Sequence, residues 1–188
     1  MNLSASPLQE LDLSFYGIDN LVYIKRDDLI HNVISGNKWR KLKYNLQYFQ
    51  SISKHGIVSM GGAFSSHILA LSYICNEYKI PCTLLVRGEP SLPVNNILKQ
   101  CLSFNARIKY IKREKYKDSL WINALVNESF KDFYFIPEGG ANYFGIYGCQ
   151  KIVKEIMMPF DVIFCEVGTG ATFSGIVSSL SLSLIHIW

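Results

Sequence analysis

The sequence predicts an α/β protein with a mostly parallel sheet covered by helices on both faces. Short apolar runs alternate with segments of helical periodicity, strand then helix, several times along the chain. Most strand-like runs are near-continuously apolar, as strands covered on two faces are, and the helical segments are largely amphipathic. No self-similarity appears at solenoid periods.

The elements follow in order. Leu21–Ile24 (LVYI) reads as a strand, and Trp39–Phe49, apolar at Trp39, Leu42, Leu46 and Phe49, as a helix. Gly56–Met60 is a strand that Gly61-Gly62 stops, and Ser66–Glu77 is an apolar helix. Cys82–Val86 (CTLLV) is a strand, Asn95–Ser103 a helix, Arg107–Ile111 a strand and Ser119–Phe130 a helix. Phe133–Ile136 is a strand, Gly145–Met157 a helix, Asp161–Val167 a strand and Ala171–Leu182 a helix. The end, Ser178–Trp188 (SSLSLSLIHIW), is a plain Ser/Leu alternation with an uncapped apolar finish. It reads either as an ordinary helix end or as a chain that stops inside a domain, and the second is expected.

Composition narrows the class. The 188 residues are 49% apolar and 18% charged, which is globular, and the net charge of +4 falls short of a nucleic-acid signature. Five cysteines, an odd number without CxxC, point to free buried thiols in a reducing compartment. The N-terminus lacks a basic segment followed by an apolar run, so no signal peptide is expected. Val167–Trp188 carries no Asp, Glu, Lys or Arg, but its glycines and five serines make it too polar to span a bilayer well. A soluble, cytoplasmic protein is expected.

Three junctions could hold chemistry. In Ser35–Lys43 (SGNKWRKLK), Ser35 and Asn37 are good N-caps, so a helix should begin near Lys38. With Lys38 at the origin and about 100° per residue, Phe49, Leu42, Leu46 and Trp39 fall between about 20° and 100°. Lys43, Gln47 and Arg40 fall between about 140° and 200°. Arg40 and Lys43 are therefore expected in solvent, Lys41 at an edge, and Lys38 inside the apolar arc. Burial and the positive helix end both disfavour an ammonium there, and a free amine is what Schiff-base chemistry requires. The other reading is a basic helix start whose lysine reaches out to water.

In Asp161–Gly175 a buried strand runs into Gly168-Thr169-Gly170-Ala171-Thr172 and then a helix. This is neither GxGxxG nor a Walker A loop. It suits one phosphate monoester bound by backbone N–H groups, or it is a ligand-free turn. At the third junction, Ser65 and Ser66 follow the strand that ends at Gly61-Gly62, where α/β sheets bind ligands; either could instead be a plain N-cap. Pro137–Asn142 (PEGGAN) alone says only turn. No HExxH or Cys/His cluster points to a metal, and no GxSxG to a hydrolase. Lys109–Lys117 (KYIKREKYK) could touch a nucleic acid but reads better as a strand end and solvated loop.

Taken together, Tyr23–Leu46 (YIKRDDLIHNVISGNKWRKLKYNL), Gly61–His67 (GGAFSSH), Ile136–Gly148 (IPEGGANYFGIYG) and Gly168–Thr172 resemble the 1-aminocyclopropane-1-carboxylate deaminase / D-cysteine desulfhydrase family. These are pyridoxal-phosphate enzymes of the tryptophan-synthase-β type. The resemblance runs from about Leu8 to Val177, and KRDDL…GNK.RKL is its most specific part. It implies that Lys38 carries pyridoxal 5'-phosphate covalently and that Gly168, Thr169, Gly170, Ala171 and Thr172 hold its phosphate. Ser65 would handle the substrate near its Cα or carboxylate. Ser66 stands where the family usually has an Asn bonded to the cofactor's 3′-oxygen, His67 fits the family's His or Gln, and Ala171 replaces a common Gly.

The implied architecture is two domains, each three-layered with parallel or mixed sheets, the second incomplete. The smaller would be 51–151 and the larger 1–50 with 152–188. The implied activity is a lyase or deaminase on a small amino acid. D-Cysteine-type β-elimination to pyruvate, ammonia and sulfide is favoured over cyclopropane ring opening, which asks for proton donors not identified here. In the family, later segments supply the group facing the pyridine nitrogen and tyrosine-type residues around the substrate. Little turnover is therefore expected of this chain alone, unless a homodimer or other partner completes the site. A non-catalytic cofactor- or phosphate-binding fragment is the reading from another class.

Overall fold

The computed structural model describes residues 3–90 and 93–180. Its main sheet has four parallel strands in the order β5-β4-β3-β6. These are β3 (Gly56–Gly62), β4 (Cys82–Arg87), β5 (Arg107–Ile111) and β6 (Phe133–Ile136). Parallel neighbours need crossovers, and helices α2 (Ser66–Glu77), α3 (Asn96–Ser103), α4 (Arg113–Tyr116) and α5 (Ser119–Ser129) supply them. Asn95 caps α3 by accepting from Leu98 N at 3.0 Å, and Asp118 caps α5 by accepting from Trp121 N at 3.0 Å.

Strand periodicity divides the core in two. Ile57, Leu84, Val86 and Ile136 pack with Ile68, Leu71, Ile74 and Leu98 of α2 and α3, and with Leu42, Leu46 and Phe49 of α1 (Lys38–Ser51). Val58, Met60 and Leu85 point the other way, onto Tyr116, Ile122 and Val126 of α4 and α5. Residues one apart face opposite sides, so both faces are covered, as the unbroken apolar strands required. Cys75, Cys82, Cys101 and Cys149 are buried free thiols, and Cys165 is partly exposed.

The N-terminal part departs from expectation. The strand expected at Leu21–Ile24 is β2 (Val22–Lys25), and it pairs antiparallel with β1 (Leu8–Leu11), which the polar pattern LQEL concealed. The expected solvation of Arg40 is overturned. Arg40 is only 6% exposed because its guanidinium bonds Asp27 (2.6 and 2.7 Å) and Glu155 (2.9 and 2.8 Å). Lys41, expected at an edge, is 5% exposed.

The C-terminal third also differs. The helix expected over Gly145–Met157 is two: α6 (Tyr143–Cys149) and α7 (Lys151–Lys154). α6 starts early because Asn142 caps it, accepting from Gly145 N at 3.0 Å, and the break coincides with a bond from Ser179 Oγ to the Gln150 carbonyl. Asp161–Val167 is not a strand, because no described residue offers it a hydrogen-bonding neighbour. It keeps strand-like alternation. Ile163 and Cys165 pack toward Cys149, Ile152 and Ile176, while Val162 and Phe164 stand 67% and 92% exposed. The last helix, α8, covers Ala171–Val177 instead of reaching Leu182, which lies outside the described residues. In Lys109–Lys117, expected as a strand end and solvated loop, β5 runs to Ile111 as expected but α4 replaces the loop, and Lys109 and Lys115 lie over the rings of Phe130 and Trp121.

Candidate active site

The site forms where α1 begins. Asn37 occupies the N-cap of α1, but its side chain caps nothing. Its Oδ1 accepts from Lys38 Nζ at 2.6 Å, and its Nδ2 donates to Thr172 Oγ1 at 2.6 Å. The lysine and the glycine-rich loop picked out separately in the sequence are thus joined through one amide. Lys38 is half-buried. Loss of hydration, then the nearby Lys41 charge, push its pKa below the usual lysine range, and Glu166 and Cys149 oppose this in part.

Lys41 sits one turn along the same helix face. Its amine has neither hydrogen-bond nor ion-pair partner among the described residues, and burial lowers its pKa also. Sequence reasoning missed it, although its spacing of three from Lys38 was the available signal.

The loop before α8 leaves room for a ligand. Gly168 and Thr169 are exposed, and a Cβ on Gly168 or Gly170 would meet nothing within 4 Å. Gly170 adopts φ 80°, the left-handed region that suits glycine. Ala171 and Thr172 are buried, so the methyl that replaces the family's glycine points into the fold.

Pro137–Asn142, legible only as a turn, is a wedge. A Cβ on Gly139 would lie 2.7 Å from Thr169, and one on Gly140 would lie 3.2 Å from Lys41 Cβ and 3.6 Å from His67 Cε1. Both glycines are left-handed, φ 64° and 68°. Behind the wedge, Asn45 Oδ1 accepts from Tyr134 Oη and Asn142 Nδ2, each at 2.7 Å, while Asn45 Nδ2 donates to the Lys41 carbonyl at 2.7 Å. These polar contacts bind α1 to β6 and the wedge.

After β3, Ser65 is the N-cap of α2 and accepts from His67 N at 3.2 Å. Ser66 is exposed, with no side-chain hydrogen bond among the described residues. His67 is 1% exposed, its Nε2 is 2.9 Å from Ser59 Oγ, and its Nδ1 has no partner among the described residues. Burial first, then Lys41 and Lys38, push its pKa down to about 3, so it is neutral at ordinary pH.

Lys38, Lys41, Thr169, Thr172, Gly140 and His67 therefore meet, while Ser65 touches the group only by accepting from the His67 backbone N–H and Ser66 flanks it without a side-chain hydrogen bond among the described residues. Two amines with lowered pKa, open glycines and threonine hydroxyls form a donor set that fits a phosphorylated aldehyde. Such a combination at the loops of a parallel α/β sheet is suited to holding a phosphorylated aldehyde cofactor.

Comparison with known proteins takes the assignment further. Residues 2–187 match the family described as "Pyridoxal-phosphate dependent enzyme", and the chain belongs to it. Pyridoxal phosphate is the cofactor of that family. A Thermotoga maritima protein provisionally named 1-aminocyclopropane-1-carboxylate deaminase is 33% identical over 199 residues, covering 100% of this chain and 62% of the relative. The bifunctional D-cysteine desulfhydrase/1-aminocyclopropane-1-carboxylate deaminase of Arabidopsis thaliana, a mitochondrial protein, is 30% identical over 82% of this chain and 44% of its own. A crystal structure of an ACC deaminase homologue superposes with TM-score 0.78 at 28% identity, covering 96% of this chain and 57% of that one. The chain thus spans about three-fifths or less of these relatives.

Proposed function

We propose that the protein is a pyridoxal-phosphate-dependent lyase or deaminase of small amino acids, working by D-cysteine desulfhydrase-type β-elimination to pyruvate, ammonia and sulfide. One observation carries the proposal: the half-buried Lys38 amine is bonded to Asn37, whose amide holds Thr172 of the glycine-rich loop.

Bound pyridoxal phosphate supplies a carbonyl carbon for an amine to attack and a ring that draws electrons from the substrate's Cα. This chain's residues do the rest. Burial and the Lys41 charge shift Lys38 toward the free amine, the form a nucleophilic lysine needs. With cofactor and substrate bound, the Lys38 amine would be placed to take and return a proton at the substrate's Cα. Gly168–Thr172 offers N–H groups and hydroxyls to the phosphate, and Lys41 adds positive charge behind the Gly139–Gly140 wedge. Ser65, at the start of α2, would face the substrate's carboxylate. Ser66, short and exposed, would face the cofactor's 3′-oxygen with a hydroxyl in place of an amide.

The D-cysteine and 1-aminocyclopropane-1-carboxylate readings share every residue named, and the name of the Thermotoga relative supports the second. The domain division into 51–151 and 1–50 with 152–188 belongs to the same proposal: β3–β6 and α2–α5 lie within the first range. So does a cytoplasmic location, supported by four buried free thiols. Among the described residues no helix is long and apolar enough to cross a membrane.

The test is borohydride reduction with pyridoxal phosphate, then peptide mapping. The adduct is expected on Lys38, and an adduct on Lys41 or Lys43 overturns the assignment. D-Cysteine and 1-aminocyclopropane-1-carboxylate are then supplied separately. Pyruvate with sulfide from the first supports β-elimination, and a 2-oxo acid from the second alone supports ring opening. A reduced adduct without turnover of either supports the non-catalytic reading.

A further inference from the structure

We infer that Ser59 and His67 are positioning residues for the second lysine: Ser59 holds the buried imidazole in its Nε2–H form, and the bare Nδ1 is the acceptor for an N–H of Lys41.

Hydrogen counting fixes the direction of the pair. Ser59 Oγ lies 2.7 Å from the Ile136 carbonyl oxygen, which can only accept, so the hydroxyl hydrogen is used there. What the oxygen has left for His67 Nε2, 2.9 Å away, is a lone pair, so Nε2 carries the hydrogen. A neutral imidazole with Nε2–H has an unprotonated Nδ1. That Nδ1 is fully enclosed and unpartnered, a costly state for a buried acceptor.

The missing donor is close by. Lys41 is the buried cation beside the ring, and its amine likewise has no partner among the described residues. The Gly140 wedge locates the meeting point: a Cβ there would touch His67 Cε1 at 3.6 Å, next to Nδ1, and Lys41 Cβ and Cδ at 3.2 and 3.8 Å. Ring edge and lysine stem thus share the space a side chain at 140 would fill. Rotation of the lysine stem about Cγ–Cδ and Cδ–Cε is the movement needed to bring an N–H to Nδ1. The other charged group acting on the ring is Lys38, also a cation. A neutral acceptor therefore directs Lys41 without adding a third positive charge.

The consequence for cofactor binding rests on the proposed function, but the main test does not. It uses the 188-residue chain without cofactor, labelled with 15N-histidine, in long-range 1H–15N spectra; His67 is assigned by its absence in His67→Gln. The expected result is an Nε2–H ring that does not titrate between pH 5 and 9, with its Nδ1 resonance in the hydrogen-bonded range. Lys41→Met should move Nδ1 to the range of a free lone pair and leave Nε2–H in place, and Ser59→Ala should lose the single tautomer. An Nδ1–H ring in the wild type, an unbonded Nδ1 resonance, or no change in Lys41→Met overturns the inference. The first two readings need no variant, so a failure of Lys41→Met to fold leaves the test intact. Glutamine offers both an acceptor and a donor. Pyridoxal phosphate affinity should stay within about threefold in His67→Gln and fall about tenfold in His67→Leu. Equal losses overturn the positioning role. Wild-type protein that binds no pyridoxal phosphate overturns the functional reading alone.

Discussion

Asn37 and Thr172, 135 positions apart in sequence, are joined by a 2.6 Å hydrogen bond from the asparagine's amide to the threonine's hydroxyl. The same asparagine holds the Lys38 amine, so one residue sets the distance between that amine and the loop before α8. Asn37→Leu removes both bonds. Pyridoxal phosphate affinity, read by fluorescence titration, should fall about tenfold or more, with a stability loss near 1 kcal/mol. Unchanged affinity would mean that the two elements do not act together.

Gly168 has open space around it, and its backbone is outside the left-handed region. Gly168→Asp should therefore fold normally yet repel a phosphate, lowering cofactor affinity roughly tenfold to a hundredfold. Gly170→Asp is the poorer probe because φ 80° strains any side chain. Thermal melts beside the titration separate the two effects. A wild-type affinity in Gly168→Asp would remove the loop from the phosphate site.

Arg40 ties Asp27 of the N-terminal segment to Glu155 beyond α7. Arg40→Met leaves the Asp27 carboxylate without its cation and should cost about 3 kcal/mol. Hydrogen bonds from Arg40, and secondly Lys25, hold the Glu155 carboxyl down to about 2 from an ordinary 4.5. A depressed carboxyl stabilises the fold fully above its unfolded value and loses this as pH falls toward the folded one. Glu155 is 44% exposed, so the effect is at most about 1 kcal/mol. Glu155→Gln should be slightly less stable than wild type at pH 7, with the gap closing as pH falls through about 2. Acid-unfolding curves of the two proteins check the sign.

Gly148 is a packing requirement. A Cβ there would lie 1.8 Å from the Arg40 carbonyl oxygen, so α6 touches the backbone of α1. Gly148→Ala should destabilise by about 3 kcal/mol or fail to fold, measured by denaturant midpoint. Near-wild-type stability would show that α1 and α6 separate easily.

Much of the fold was legible because covered parallel strands are apolar on both faces and announce themselves, as CTLLV does. The partial burial of Lys38 was legible from the apolar arc of one helix. Arg40 was not, because a helical wheel registers charge as solvent-facing and cannot see Asp27 and Glu155 arriving from distant segments. LQEL hid β1 because a peripheral strand needs no apolar run. Asp161–Val167 has strand chemistry, but a strand is a property of two segments, and no described segment lies alongside it. The bonds of Asn45 to Tyr134 and Asn142 were invisible because polar residues far apart in sequence carry no periodic signal, and Ser59–His67, eight positions apart, because one lies on a strand and the other on a helix, whose periods differ.

Ser59 and Ile136 are bonded across 77 positions, because β6 returns past β4 and β5 to the free side of β3. The β3–β4 pairing closes a segment of only about 25 positions, from Ile57 to Cys82. Closing the longer one costs about 1 kcal/mol more chain entropy. The β3-β4-β5 unit should therefore nucleate first, with β6 docking as the late step of folding and the most readily opened strand in hydrogen exchange. The Gly139–Gly140 wedge follows β6 directly, so the lysine pocket closes only when that late step is complete. A substitution that slows the docking of Phe133–Ile136 would yield a long-lived intermediate that holds most of the sheet and yet lacks the pocket.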